Sequence, residues 1–302
     1  MRETFDTVLV ADPGGRAAME EAITLAGGRI VDRLGWDELA MLDDRLGITP
    51  VLAVQAEGVR DDVIEAGLSL IADVAARSAP QIVVTLHHRQ IDPVAAALLG
   101  PTVHLLCDEG TARLVAALAV AGLVAPAGLH DRVGEAGEDE LRRLKDEIGR
   151  IAELLVRLAE RGEPRPGGDE GNVGDRRMSF GFEPPAAPID PQLVRQAIRA
   201  RRLRDSFLGD GLFEDPAWDM LLDLYAAQLE GQRVSVSSLC IAAAVAPTTA
   251  LRWIARLTEA GLFRRQPDAT DRRRAFMALS SRGLAGMDAY MAAVRRAGLS
   301  IA

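Results

Sequence analysis

Nine side chains between positions 248 and 274 have the types and spacing to grip a polyanion: Thr248, Thr249, Arg252, Arg256, Arg264, Arg265, Arg272, Arg273 and Arg274. Guanidinium groups neutralise phosphates, and short hydroxyl side chains can reach base edges, so this mixture suits duplex DNA. Such groups work only if something holds them on one surface. The run from Pro247 to Gly283 supplies the elements. Leu251, Ile254 and Leu257 form an apolar stripe at helical spacing, and Gly261 stops the helix. A strand, an arginine-loaded tight loop and a second strand follow. This order predicts a winged helix-turn-helix, with Thr248, Thr249 and Arg252 near the helix end that enters a major groove. Arg256 lies on the same outward side. A guanidinium at the hairpin tip suits a narrow minor groove. Asp268 and Asp271 cannot face phosphate, so each is expected to tie the wing together through an arginine. Trp253 is expected to pack rather than stack on a base.

Residues 213–286 resemble the MarR family of winged-helix regulators, through LTEAGLFRR at 257–265 and DRRRAFMALSSRG at 271–283. The resemblance implies a dimer on a pseudo-palindromic site, with Thr248, Thr249 and Arg252 in the major groove. It also implies a minor-groove arginine at Arg273, two residues after Asp271. Ser280 stands where the family often has Thr. A second departure is that a long region precedes the module, whereas the family is usually compact and single-domain.

Charge is distributed in the same sense. The chain of 302 residues carries a net −9, yet residues 1–130 hold 9 basic against 18 acidic side chains, residues 131–190 hold 10 against 15, and residues 191–302 hold 16 against 11. The basic third coincides with the winged helix, as expected of a DNA reader with an acidic companion domain.

The first 125 residues alternate strand and helix. Apolar strand runs are expected at 7–11, 29–31, 50–54, 81–85 and 103–106. Helices are expected at 16–26, 37–46, 60–77, from Asp92-Pro93 with Asp92 as the cap, and at 111–121. Two-sidedly apolar strands between helices predict an α/β fold with a five-stranded, doubly wound parallel sheet. Five such units resemble a response-regulator receiver domain. Phosphotransfer in that family needs an acidic Mg²⁺ cluster, an acceptor Asp ending the third strand and a Lys ending the fifth. Here Asp12 ends the first strand alone, the third ends Val54-Gln55-Ala56-Glu57, and the fifth ends Leu106-Cys107-Asp108. The expectation is a phosphorylation-independent, receiver-like domain. Ligands of open α/β sheets sit at the carboxyl ends of strands, so Asp12, Gln55, Thr85, His87, His88 and Asp108 form the candidate sensor site for a small-molecule or protein signal. His87-His88 is either a pH or metal sensor or a solvated pair.

Leu141, Leu144, Ile148, Ile151, Leu155 and Leu158 fall at alternating spacings of three and four, an a/d seam. It is read as a dimerising coiled coil, with packing on its own domain as the other reading. Residues 163–190, rich in Gly, Pro and charge, read as a flexible linker. The expected organisation is therefore an α/β domain at 1–130, a coiled-coil helix at 131–162, the linker, and the winged-helix domain at 191–302.

No nucleophile–base pair, metal-spaced His/Cys set or phosphate loop is evident, so neither an enzyme nor a cofactor is expected. Asp12-Pro13-Gly14-Gly15 is a turn and not a dinucleotide fingerprint. Cys107 and Cys240 lie far apart, which fits a reducing cytoplasm and buried apolar roles. No membrane-length apolar run occurs. The sequence thus points to a cytoplasmic, homodimeric transcription regulator on double-stranded DNA. The alternative is an adaptor whose winged helix contacts protein.

Overall fold

The computed structural model describes residues 5–125, 189–209, 212–268, 271 and 274–299. The first region runs β1 (Phe5–Val10), α1 (Pro13–Leu25), β2 (Gly28–Leu34), a 3-10 turn (Trp36–Met41), α2 (Leu42–Leu46), β3 (Val51–Gln55) and α3 (Asp61–Ser78). It continues through β4 (Gln81–Leu86), a short 3-10 turn (His88–Gln90), α4 (Ile91–Leu98), β5 (Val103–Cys107) and α5 (Thr111–Val124). All strand pairs are parallel, in the order β2-β1-β3-β4-β5. The period-two alternation of strand side chains decides the layers. Leu9, Val51, Ala53 and Val83 point to one face and meet Met19 and Ile23 of α1 and Leu114 and Leu118 of α5. Val8, Val10, Leu52, Val54, Ile82 and Val84 point to the other and meet Ile64 and Ile71 of α3 and Val94 and Leu98 of α4. The α/β doubly wound sheet is therefore present.

Two local expectations are corrected. The stretch expected to be one helix at 37–46 begins as a 3-10 turn that packs Trp36 and Leu39, and only its last five residues are α-helical. Asp92 does not cap α4: the helix starts at Ile91, behind Gln90. Pro93 can sit anywhere in a first turn, because none of those N–H groups has an intrahelical acceptor.

The second region comprises α6 (Pro191–Leu208), α7 (Pro216–Glu230), β6 (Val234–Ser235), α8 (Val236–Ala242), α9 (Pro247–Glu259), β7 (Phe263–Pro267), β8 (Ala275–Leu279) and α10 (Ser281–Arg296). The strands form an antiparallel sheet in the order β6-β8-β7. Asp215 caps α7 by accepting from the Trp218 backbone N–H, and Gly231 ends it at φ 67°. Ser280, the residue that departs from the family pattern, caps α10 by accepting from the Gly283 N–H and donates to the Gly261 carbonyl at 2.6 Å. Gly283 has no room for a side chain, since a Cβ there would strike the Leu262 carbonyl oxygen. The SSRG sequence is therefore the joint that lays the second wing strand back onto the end of α9.

Residues up to 126 and from 187 onward belong to one compact unit. The α3–α4 side of the parallel sheet shares a continuous apolar core with Leu239, Leu251 and Met277. The heptad residues Leu141, Leu144, Ile148, Ile151, Leu155 and Leu158, and the linker at 163–188, lie outside the described residues. Among those described, no single helix is long and apolar enough to cross a membrane.

Candidate nucleic-acid interface

The reading helix α9 starts at Pro247, whose fixed φ suits a first turn and whose missing N–H costs nothing there. Ala250, Leu251, Ile254 and Leu257 are buried, as the stripe predicts. Trp253 is half-buried against the same core, with the Arg256 guanidinium 5.0 Å from its ring centroid. Arg252 and Arg256 project from the opposite side and are exposed. Neither has a hydrogen bond or ion pair among the described residues. These two guanidinium groups, one helical turn apart, line a cleft with β5 and α5 and have no internal hydrogen bond to give up before taking a phosphate or a guanine edge.

The wing is tied as expected, by two different arginines. Asp271 pairs with Arg274 at 3.5 Å. Asp268 pairs at 3.8 Å with Arg233, which precedes β6 and also lies over the Phe276 ring. No local signal marks Arg233 for this role, because the pairing is set by β6 joining β8. Arg264 donates to the Leu279 carbonyl at 3.1 Å, across the two wing strands. Arg272 and Arg273 lie outside the described residues.

The other members of the set face the α/β half. The Cys107 N–H donates to Thr248 Oγ1 at 2.9 Å. Arg265 donates to the carbonyls of Ala95 and Ala96, at 3.0 and 2.8 Å. Beside α9 a cleft of about 630 Å³ is lined by Leu106, Arg113, Thr249, Arg252, Arg256 and Glu259, among others. His104 also lines it, and burial holds its imidazole below the ordinary pKa of 6.5. Asp92, freed from capping, accepts from both the N–H and the hydroxyl of Ser237, at 2.9 and 2.6 Å. Thus α4 and β5 touch α8, α9 and β7 through three polar contacts. Sequence reasoning singled out neither Asp92 nor Ser237 for such a contact, since they are 145 residues apart.

The candidate sensor residues converge at the carboxyl ends of the parallel strands. His87 Nδ1 lies 2.5 Å from Asp108 Oδ1, and the His88 N–H donates to Asp108 Oδ2 at 3.1 Å. These hydrogen bonds, led by the one from His87, hold the Asp108 carboxyl below its usual range. The Asp12 N–H donates to Gln55 Oε1 at 3.3 Å, and the Gln55 amide donates to the Glu57 carbonyl. Burial raises the pKa of Glu57, a member the sequence reading passed over. Thr85 Oγ1 is buried with no hydrogen-bond partner among the described residues. Cys107 and Cys240 are both buried free thiols, each pushed up to about 12 chiefly by burial. Both thiols are placed as small buried apolar groups.

Comparison with known proteins bears on one of the two halves. Residues 220–283 match the family model of a winged helix DNA-binding domain. This span contains α8, α9 and both wing strands, so the domain expected from the arginine pattern is present. No curated protein matches the chain. Among solved structures, the chain is similar to MepR of S. aureus bound to ethidium bromide, at 19% identity over 35% of this chain and 74% of that one, TM-score 0.26. It is similar to a probable transcriptional regulator from Pseudomonas aeruginosa, at 29% identity over 34% and 75%, TM-score 0.23. A third is AbsC, a MarR family transcriptional regulator from Streptomyces coelicolor, at 27% identity over 35% and 70%, TM-score 0.22.

Proposed function

We propose that this chain is a dimeric, sequence-specific transcription regulator that binds double-stranded DNA. The observation that carries the reading is the exposed, unpaired Arg252–Arg256 pair on α9, inside a winged helix DNA-binding domain. In this reading Thr248, Thr249 and Arg252 enter the major groove, while Arg256, Arg264, Arg265, Arg272 and Arg274 contact backbone. Arg273 enters the minor groove from the wing tip. Dimerisation falls to the heptad seam of Leu141, Leu144, Ile148, Ile151, Leu155 and Leu158. The four-part organisation into 1–130, 131–162, 163–190 and 191–302 places that seam between the two described halves. A dimer on a long connector raises the effective concentration of the second reading head once the first is bound. The α/β domain acts as a phosphorylation-independent sensor, with Asp12, Gln55, Thr85, His87 and Asp108 at its ligand end.

The test is selection of bound fragments from sheared genomic DNA by the purified full-length protein at several salt concentrations. The expected result is an inverted repeat whose affinity falls steeply with salt. Arg273→Ala should weaken binding while sedimentation still reports a dimer. No sequence recovered above background by a folded dimer would favour an adaptor, or a regulator that needs its signal. One observation favours the second reading, an adaptor whose winged helix contacts protein: Thr248 and Arg265 are engaged by the α/β half of the same chain. In that case the selection recovers nothing and Arg273→Ala changes nothing.

A further inference from the structure

We infer that the α4–β5 edge of the α/β half is a docking surface for the DNA-reading face of the winged helix, and that the two exclude each other: docked, the protein does not bind duplex. The inference rests on the DNA-binding reading above and adds a partner for that face within the chain itself.

Three contacts define the docked arrangement, and each has a physical reason. β5 is the edge of the parallel sheet, and an edge strand carries backbone groups without a ladder partner. Asp108, not Cys107, donates back to Leu86 of β4. The outward Cys107 N–H is satisfied instead by Thr248 Oγ1, in the first turn of α9. Arg265 meets the Ala95 and Ala96 carbonyls in the last two turns of α4, where the helix dipole places partial negative charge. The guanidinium meets there the charge it would otherwise meet at a phosphate. Asp92 reaches the first turn of α8, where its carboxylate takes the Ser237 N–H and hydroxyl. An anion at that end of a helix is favoured for the same reason.

The geometry makes docking and DNA binding alternatives. A major groove about 12 Å wide must close around a reading helix from both sides. With β5 within hydrogen-bond distance of Thr248, one wall of the groove would have to occupy the volume of β5 and its connection to α5. Arg265 cannot serve the α4 carbonyls and a phosphate at once. The apparent affinity for DNA is then the intrinsic affinity reduced by the fraction of undocked protein. Weakening the docked state from its α/β side raises DNA affinity without touching any DNA-contacting residue.

Asp92 and Ser237 are suited to the test, because neither belongs to the DNA-contacting set. Full-length wild type, Asp92→Ala, Ser237→Ala and the double variant are titrated by fluorescence anisotropy with a selected duplex, or with a short mixed-sequence duplex at low salt if none is selected. Each single variant should bind about tenfold more tightly than wild type, as expected for loss of a charge-assisted hydrogen bond from the docked state alone. The double variant should gain no more than Asp92→Ala alone, because that change removes both hydrogen bonds whereas Ser237→Ala removes only the one from the hydroxyl. Folded variants with unchanged or weaker affinity would overturn the inference. Amide exchange on wild type gives a second readout that needs no variant to fold. Saturating DNA should accelerate exchange of the Cys107 amide, and retained protection there sinks the proposal. If no form binds any duplex while Asp92→Ala still exposes that amide, the DNA reading itself fails and the exclusion fails with it.

Discussion

The two halves use their polar side chains in opposite ways. At the carboxyl ends of the parallel sheet the polar groups are largely spent on each other: His87 and His88 on Asp108, and Gln55 on Asp12 and Glu57. On the outward face of α9, Arg252 and Arg256 are exposed and have no anionic partner among the described residues. The sheet-end cluster leaves few groups for an outside ligand, Thr85 Oγ1 among them, whereas the two guanidinium groups have no internal ion pair to give up. The contrast extends to how each half is held. The sheet is apolar on both faces, while the winged helix is pinned by charge. Arg201 and Arg202 of α6 reach Asp219 of α7 at 2.9 and 3.5 Å, with Asp219 buried. Arg195 bridges Asp223 and Glu230.

The largest effect should come from breaking the charge pin. Among the described residues, Asp219→Ala leaves the largely buried Arg201 only its longer pair with Asp215, at 3.6 Å, and Arg202 only the Ala242 carbonyl, and should cost about 3–5 kcal/mol in urea unfolding. A loss below about 1 kcal/mol would show that the winged helix relies on its apolar core as the sheet does. Next comes Leu52→Ala at the centre of the sheet, where a fully buried side chain leaves a cavity and about 3 kcal/mol is lost. The contrast in partnering is sharpened by a paired experiment on DNA. Arg252→Ala should reduce DNA affinity about tenfold and relax the sequence preference at the base pair it reads. His87→Ala, in an exposed self-paired cluster, should leave affinity within about twofold and cost under about 1 kcal/mol of stability. Equal losses from the two variants would erase the distinction.

The smallest effect is a pH dependence at the seam. Burial lowers the pKa of His104 below 6.5. Between the two values the unfolded chain binds the proton and the folded chain resists it. Stability therefore falls as pH drops below 6.5 toward the folded value, and above 6.5 the group contributes no slope. His104→Gln should flatten the pH 5–7 part of a denaturation series. An unchanged slope would mean that burial does not disfavour the charged form of His104.

Much of both halves was legible in the sequence, for reasons that can be named. Strand runs such as Val51–Val54 are apolar at every position because both sheet faces are covered. The Leu251, Ile254 and Leu257 spacing identifies the buried side of α9 and, by elimination, the exposed side carrying Arg252 and Arg256. Asp215, Pro216 and Gly231 bracket α7 through cap, first-turn and left-handed positions that act within a few residues. Local rules failed where a local and a distant partner competed. Asp92 before Pro93 has the pattern of a cap, yet its carboxylate goes to Ser237 of another element. The first turn of α4 tolerates that loss because the 3-10 turn before it supplies an acceptor, the Ile91 N–H donating to the His88 carbonyl.

The sequence by itself therefore determined the element order, the two-faced burial of the parallel strands and the arginine-bearing face of the reading helix. Those follow from periodicity and from caps, which act over one or two turns. Tertiary structure alone decided which groups remain available. It paired Asp268 with Arg233, Thr248 with the edge of β5, and Arg265 with the end of α4. Hydrogen bonds and ion pairs depend on distances of a few ångströms between residues far apart in the chain. No local pattern encodes such distances: the joining of β6 to β8 sets the first, and the packing of the two halves sets the other two.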